Sequence, residues 1–194
     1  MVVALLTLAS AAEAQTYAYV LGQRPTPTQP NPSTGVQTVT VINTATDAIV
    51  TTITAGAGCY CSSPDMVAAL PDGSRVYVTN EIGNTVTVIN TITNTVVGNI
   101  AVGTGPVAAA VSPDGTRLYV VNGSGVTSVS VINTATNGVV ATIPLAVGQA
   151  RGVTIRPDGA RLYVSTYGAV SWASVVAGAS HNGASVHRRR LIRP

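Results

Sequence analysis

"PDGTRLYVVN", residues 113–122, decides the fold, because the chain repeats it with small changes. "PDGSRVYVTN" begins at Pro71 and "PDGARLYVST" at Pro157, 42 residues before it and 44 after it. In each copy Pro presets φ for a turn, Asp can bond its own backbone two residues on, and Gly takes the positive φ that other residues resist. The run that follows is rich in Val and Tyr, which suit a pleated, buried surface. The phrase is a tight turn that delivers the chain into a strand.

Working outward from the turn, each period holds four short strand signals in one order. "VAAAV" (Val107 to Val111) corresponds to "VAAL" (Val67 to Leu70) and "VTI" (Val153 to Ile155). "RLYVV" follows the turn, and "TVTVI" (Thr85 to Ile89) returns as "SVSVI" (Ser128 to Ile132) and is foreshadowed at Thr38 to Ile42. "TVVGNI" (Thr95 to Ile100) matches "GVVATI" (Gly138 to Ile143) and "AIVTTI" (Ala48 to Ile53). "NTATD", "NTITN" and "NTATN", starting at Asn43, Asn90 and Asn133, supply hairpins whose Asn and Thr side chains can satisfy backbone groups locally. "GTGP", Gly103 to Pro106, carries the chain from one unit to the next. Four strands in a period of about 42 residues fit a propeller blade. The predicted fold is all-β: four-stranded antiparallel blades in an incomplete ring of roughly three to four, since complete propellers have about 4 to 8. An open arc leaves an apolar blade face at each end, which is a self-association or partner surface.

With these elements in place, "YVTN" at Tyr77 to Asn80, preceded by "PDGSR" and followed by "NTVTVINTITNTVVGNI", resembles the repeat of the YVTN-type β-propeller proteins, over roughly Tyr17 to Gly168. The resemblance implies an exported prokaryotic protein at the surface layer or beyond it. It also implies, more distantly, propeller lactonases. The chain departs from that pattern in three places. "LGQRPTPTQPNPSTG" (Leu21 to Gly35) is a Pro-rich excursion expected to cross the surface as extended chain. "AGAGCYCSSPDM" (Ala55 to Met66) enlarges a crossover loop around Cys59 and Cys61. After Tyr167 the repeat dissolves, and residues 169–194 read as a divergent, poorly ordered tail or the product of a shifted reading frame.

Composition agrees with many thin strands: 46% of residues are hydrophobic, there is no Phe and one Trp, and 9% are charged. The net charge of +3 comes from the tail. Arg188, Arg189, Arg190 and Arg193 are four of the ten cationic residues, so the body is near neutral and offers nucleic acid no basic patch. Residues 1–14 read as an export signal without its basic start, "AEA" (Ala12 to Ala14) fitting the small-x-small cleavage pattern; the competing reading is a buried first strand. Thr, Asn, Gly or Pro interrupts every later apolar stretch, so no transmembrane segment is expected. The domain reading is therefore 1–14 signal, 15–168 repeats and 169–194 tail, in a periplasmic, cell-surface or extracellular protein.

The chemistry-bearing residues are few. Cys59 and Cys61 form a C-x-C pair suited to a loop disulfide, unpaired thiols or a soft metal, but a structural zinc needs about four ligands. His181 and His187 lack a neighbouring nucleophile and orienting acid. Asp72, Asp114 and Asp158, each three residues before Arg75, Arg117 and Arg161, read as turn formers with a local ion pair. Tyr19, Tyr77, Tyr119 and Tyr163 occupy one place in successive repeats and read as packing between blades with the hydroxyl near an edge. Asn122, in "NGS", matches a glycosylation acceptor. No catalytic, cofactor or metal constellation emerges. The expectation is a non-enzymatic exported module for protein or ligand interaction, with a lactonase-type hydrolase or a piece of a larger propeller as the alternatives.

Overall fold

The computed structural model describes residues 3–7, 16–25, 35–58, 66–145, 149–166, 173–176 and 185–188, with side chains described for 16–22, 37–56, 66–145 and 149–166. The readings made for Cys59, Cys61 and His181 lie outside the described residues, and His187 is described only as backbone. Every described element is a strand, and the strands form four-stranded antiparallel sheets, each in simple chain order. The chain divides into two compact units, Met1–Ala101 and Val102–Pro194.

The first unit holds two sheets. One comprises β1 (Val3–Thr7), β2 (Thr16–Pro25), β3 (Gly35–Asn43) and β4 (Ala48–Gly58). The other comprises β5 (Val67–Ala69), β6 (Arg75–Asn80), β7 (Thr85–Asn90) and β8 (Thr95–Ala101). Tyr19, Val39, Val41, Ile53 and Ala55 of the first sheet meet Val67, Val76, Val78 and Ile89 of the second in one core cluster.

The second unit repeats this plan. Its sheets are β9 (Pro106–Val111), β10 (Arg117–Asn122), β11 (Ser128–Asn133) and β12 (Gly138–Pro144), then β13 (Ala150–Ile155), β14 (Leu162–Thr166), β15 (Ala173–Val176) and β16 (Ser185–Arg188). Tyr119, Val121, Val129, Val131 and Ile143 of the third sheet pack with Ala150, Leu162 and Val164 of the fourth. Each fully buried Val, Leu or Ile contributes roughly 1.5–3 kcal/mol. Middle strands such as β6 and β10 are buried on both faces, whereas β8 and β12 are largely exposed. That is why the centre of "RVYVTN", Val76 to Val78, is an unbroken apolar run buried on both faces, while Val96 and Val97 of "TVVGNI" are exposed.

The turns explain the repeated words. At Pro71, Pro113 and Pro157 the amides of Gly73, Gly115 and Gly159 donate to the carbonyls of Leu70, Ser112 and Arg156. Their φ values of 75°, 74° and 70° require glycine. Asp72, Asp114 and Asp158 accept the amides two residues on at 2.9, 3.0 and 2.9 Å. At the other hairpin Asn43, Asn90 and Asn133 each accept two amides through Oδ1. The Thr beside each Asn does not act locally, as its sequence position suggested. Thr91 Oγ1 donates to the Gly73 carbonyl at 2.5 Å and Thr134 Oγ1 to the Gly115 carbonyl at 2.6 Å. The second and third Asn-Thr turns are thus latched onto the PDG turns of their own sheets, and in the first sheet Thr44 Oγ1 donates to the Thr16 carbonyl, because the first and third hairpins of a sheet lie at one end.

Three segments outside the regular repeat also form strands. Val3–Thr7 pairs with β2, from Val3 opposite Val20 to Thr7 opposite Thr16. The Pro-rich excursion begins later than expected: Leu21–Pro25 and Gly35 continue the β2–β3 ladder, since cross-strand pairing persists until proline removes donors. After Tyr167 the described residues are those of β15 and β16, which pair in register next to β14. The repeat words of this segment are lost while its strand-forming Ser and Val runs remain.

Candidate functional site

The strongest polar constellation is a buried amide at the end of the second strand of the two middle sheets. Asn80 and Asn122 are 2% and 0% exposed. Asn80 Nδ2 donates to Thr85 Oγ1 at 3.0 Å and Thr87 Oγ1 at 2.8 Å, both on β7. Asn122 Nδ2 donates to Ser128 Oγ and Ser130 Oγ on β11, each at 3.0 Å. Alternation places these hydroxyls two residues apart on one face, within reach of a single amide. Thr87 Oγ1 in turn lies 2.6 Å from the Ala55 carbonyl and 2.6 Å from Asn99 Oδ1, tying β7 to β4 and β8.

A glycine covers each carboxamide. A Cβ on Gly56 would lie 2.8 Å from Asn80 Oδ1, and one on Gly103 would lie 2.5 Å from Asn122 Nδ2. The carbonyl oxygens of Asn80 and Asn122 are buried and accept no hydrogen bond, an arrangement that costs about 1–3 kcal/mol for each group. The hydroxyl and amide groups here are neutral, so the cluster fastens strands and crossover segments together and supplies no acid, base or nucleophile. It was legible as the Asn closing "YVTN" and "YVVN", followed by hydroxyl residues at the first and third positions of the next strand.

The sequence-predicted residues fall into three groups. The acidic turn residues do form turns, but at the second and third the acid is held by partners other than the expected Arg. Arg156 Nη2 meets Asp158 Oδ2 at 2.9 Å, in place of Arg161, while Asp158 Oδ1 accepts the Ala160 amide. At the second turn Arg117 Nη1 donates to the Thr116 carbonyl, and Asp114 is held by Ser112 and Thr116 hydroxyls. The Ser112 hydroxyl hydrogen bond holds the Asp114 carboxyl below its usual range, helped by the Thr116 amide.

The tyrosines form the second group. Tyr19, Tyr77 and Tyr119 are buried and Tyr163 is half-buried. Tyr19 donates its hydroxyl to Asn94 Oδ1 at 3.2 Å, and burial, with Tyr17 nearby, pushes its pKa up to about 12. Burial also raises Tyr77, against an opposing hydrogen bond from Arg75, and Tyr119, against the charge of Arg117. The third group is Asn122 alone. Its nitrogen is sealed inside the clasp, so the "NGS" sequon presents no acceptor in the folded chain. Among the described residues no three His, Cys, Asp or Glu side chains come together, and no helix is long and apolar enough to cross a membrane.

The outer strands present the other candidate surface. The pairing of β3 with β4, β7 with β8 and β11 with β12 skips one residue at the same place each time: Val50, Val97 and Val140. This β-bulge turns two consecutive apolar side chains outward and re-aims the edge. Ile49 and Val50 are 69% and 48% exposed, with Val96, Val97, Val139 and Val140 following the same pattern. A bulge blunts an edge against open-ended strand pairing while leaving the apolar pair available.

Solved structures resemble this architecture. Hydrazine synthase from Kuenenia stuttgartiensis aligns with a TM-score of 0.64 at 23% identity, over 88% of this chain and 53% of that one. A functionally unknown protein from Desulfotomaculum acetoxidans DSM 771 aligns with a TM-score of 0.71 at 15% identity, over 96% and 54%. The fold is β-propeller-like. At these identities the likeness shows the fold alone, and this chain spans about half the length of both neighbours. No protein-family model and no curated protein matches the chain.

Proposed function

We propose that this chain is a non-enzymatic module of YVTN-type β-propeller repeats, an incomplete ring of blades that works at the cell surface or outside the cell by binding other proteins. The observation that carries the reading is the recurrent bulged edge, with Val50, Val97 and Val140 exposed at equivalent places beside Ile49, Val96 and Val139. Exposed apolar groups repeated in register on otherwise well-buried sheets mark contact surface. The PDG, YVTN and VINT elements support the family assignment, and the "AEA" segment supports export. Export and β1 make opposite demands on residues 3–7: cleavage after Ala14 removes the strand, and retention keeps it.

The test places a photo-crosslinking side chain at Val97, Val140 or, as a polar control, Asp72, in the chain produced in its own host cells. The reading expects discrete protein adducts from Val97 and Val140 in the envelope or secreted fraction and none from Asp72. Adducts confined to the cytoplasm, or equal labelling from all three positions, would overturn it.

A further inference from the structure

Asn-Gly stands at residues 122–123, 137–138 and 182–183, the last outside the described residues. Such a pair is open to attack by the following backbone nitrogen on the Asn carboxamide, because glycine has no Cβ to shield its amide. We propose that Asn137–Gly138 is a self-modifying site, at which the folded chain loses the Asn137 carboxamide by deamidation, and that the fold silences the same chemistry at Asn122–Gly123. The proposal is independent of the binding role.

At Asn122 every participant is held. The side chain is buried, and Nδ2, the leaving group, donates to Ser128 and Ser130. The Gly123 amide, the nucleophile, donates to the Gly105 carbonyl at 2.7 Å. The surroundings are full, since a Cβ on Gly123 would lie 2.7 Å from the Ala150 carbonyl oxygen and 2.8 Å from Val107 Cγ2. Gly138 is placed differently. It forms the end pair of the β11–β12 ladder, opposite Asn133, on the outer strand of its sheet. A Cβ there would approach only Thr136 Oγ1, at 3.4 Å. Asn137 and Gly138 are half-buried, and Thr136 before them and Val139 after them are exposed. The end pair of a ladder opens at little cost, so attack on Asn137 waits for one pair to fray, whereas attack on Asn122 waits for the clasp to open.

In the reaction the Gly138 nitrogen gives its proton to solvent base and bonds to Asn137 Cγ. The Cγ–Nδ2 bond breaks, and ammonia leaves with a proton returned from solvent. Water then opens the five-membered imide. Cleavage of the new N–Cγ bond yields aspartate, and cleavage of the bond from nitrogen to the main-chain carbonyl carbon yields isoaspartate. Water is the sole co-reactant and no oxidation occurs. The repeat shows that aspartate suits the position: Asn137 closes its hairpin at φ 54°, and Asp47 closes the equivalent hairpin at φ 55°. Asn94, at φ 52° in the remaining copy, is followed by Thr95, whose branched side chain shields the amide. Isoaspartate instead carries the chain through its side-chain carbon, adding one backbone atom just before the exposed Val139 and Val140.

The full chain is incubated at mildly alkaline pH, folded in buffer and unfolded in urea, and sampled over time. Fragment-ion mass spectrometry locates each gain of about 1 Da, and enzymatic methylation of isoaspartyl residues counts the rearranged product. In the folded chain Asn137 is expected to convert at least about tenfold faster than Asn122, because a site that reacts only when opened is protected by its opening equilibrium. In urea the two are expected to convert at similar rates. Gly138→Ala, which the open space and ordinary φ at Gly138 allow, should slow Asn137 toward the rate of Asn94 in both conditions. Asn137→Asp should melt at the wild-type temperature. An Asn137 that stays intact in the folded chain, an Asn122 that keeps pace with it there, a tenfold difference that persists in urea, or an Asn137→Asp chain that fails to fold would each overturn the proposal.

Discussion

Gly103→Ala and Asn122→Ala test whether the buried amide and its covering glycine act as one unit. Gly103 does not have positive φ, so alanine carries no backbone penalty there. The new Cβ would nevertheless sit 2.5 Å from Asn122 Nδ2 and 2.6 Å from its Cγ, closer than real contacts allow. To relieve this overlap the carboxamide must move off Ser128 and Ser130, so the cost is that of overpacking, about 1–3 kcal/mol. Asn122→Ala removes two hydrogen bonds worth about 0.5–1.5 kcal/mol each but also the buried carbonyl oxygen that accepts none, so its net cost is small, about 0–2 kcal/mol. In the double variant the two clashing atoms are gone, and the Cβ of residue 122 stands at 3.1 Å. Its destabilisation should thus approach that of Asn122→Ala alone, a favourable coupling of about 1–3 kcal/mol. Urea unfolding of the four proteins, with thermal unfolding as a second probe, measures it. Additive losses, to within about 0.5 kcal/mol, would refute the clasp.

Thr91→Val keeps the side-chain shape but removes the hydroxyl that donates to the Gly73 carbonyl, and should cost about 1–3 kcal/mol in urea unfolding. Tyr19 keeps its proton up to about pH 12 in the folded chain, whereas an unfolded tyrosine releases it near 10. The folded state binds more protons in that window, so stability is full below pH 10 and falls as pH rises to 12. Tyr19→Phe should flatten that alkaline loss in a pH series of thermal melts while losing about 0.5–1.5 kcal/mol at neutral pH with the Asn94 hydrogen bond. When the chain is secreted from a glycosylating host, the folded fraction should show no glycan at Asn122 by intact mass; a folded, glycosylated species would contradict the buried clasp.

Much of the fold was legible because turn chemistry is local. Pro-Asp-Gly and Asn-Thr each impose a backbone shape over a few residues, and their order along the chain sets out four strands per period. Less of the candidate surface was legible, because it depends on register. "TVVGNI" reads as an edge strand, but the skipped residue at Val97 emerges only when β8 is laid against β7. Likewise the sequence spacing pointed Asp158 to Arg161, and side-chain geometry pairs it with Arg156.

By itself the sequence determined an all-β repeat chain, the places of its hairpins, the tyrosines at its core and its near-neutral body. These follow from φ preferences, alternation and composition, which act within a few residues. Only the tertiary structure decided that Thr91 and Thr134 latch one turn to another, that Gly103 must be bare to lie on Asn122, and that Val3–Thr7 and the segment after Tyr167 contribute strands. Those outcomes depend on atoms brought within 3 Å across sheets and hairpins. Such distances are set by packing, which no local propensity encodes.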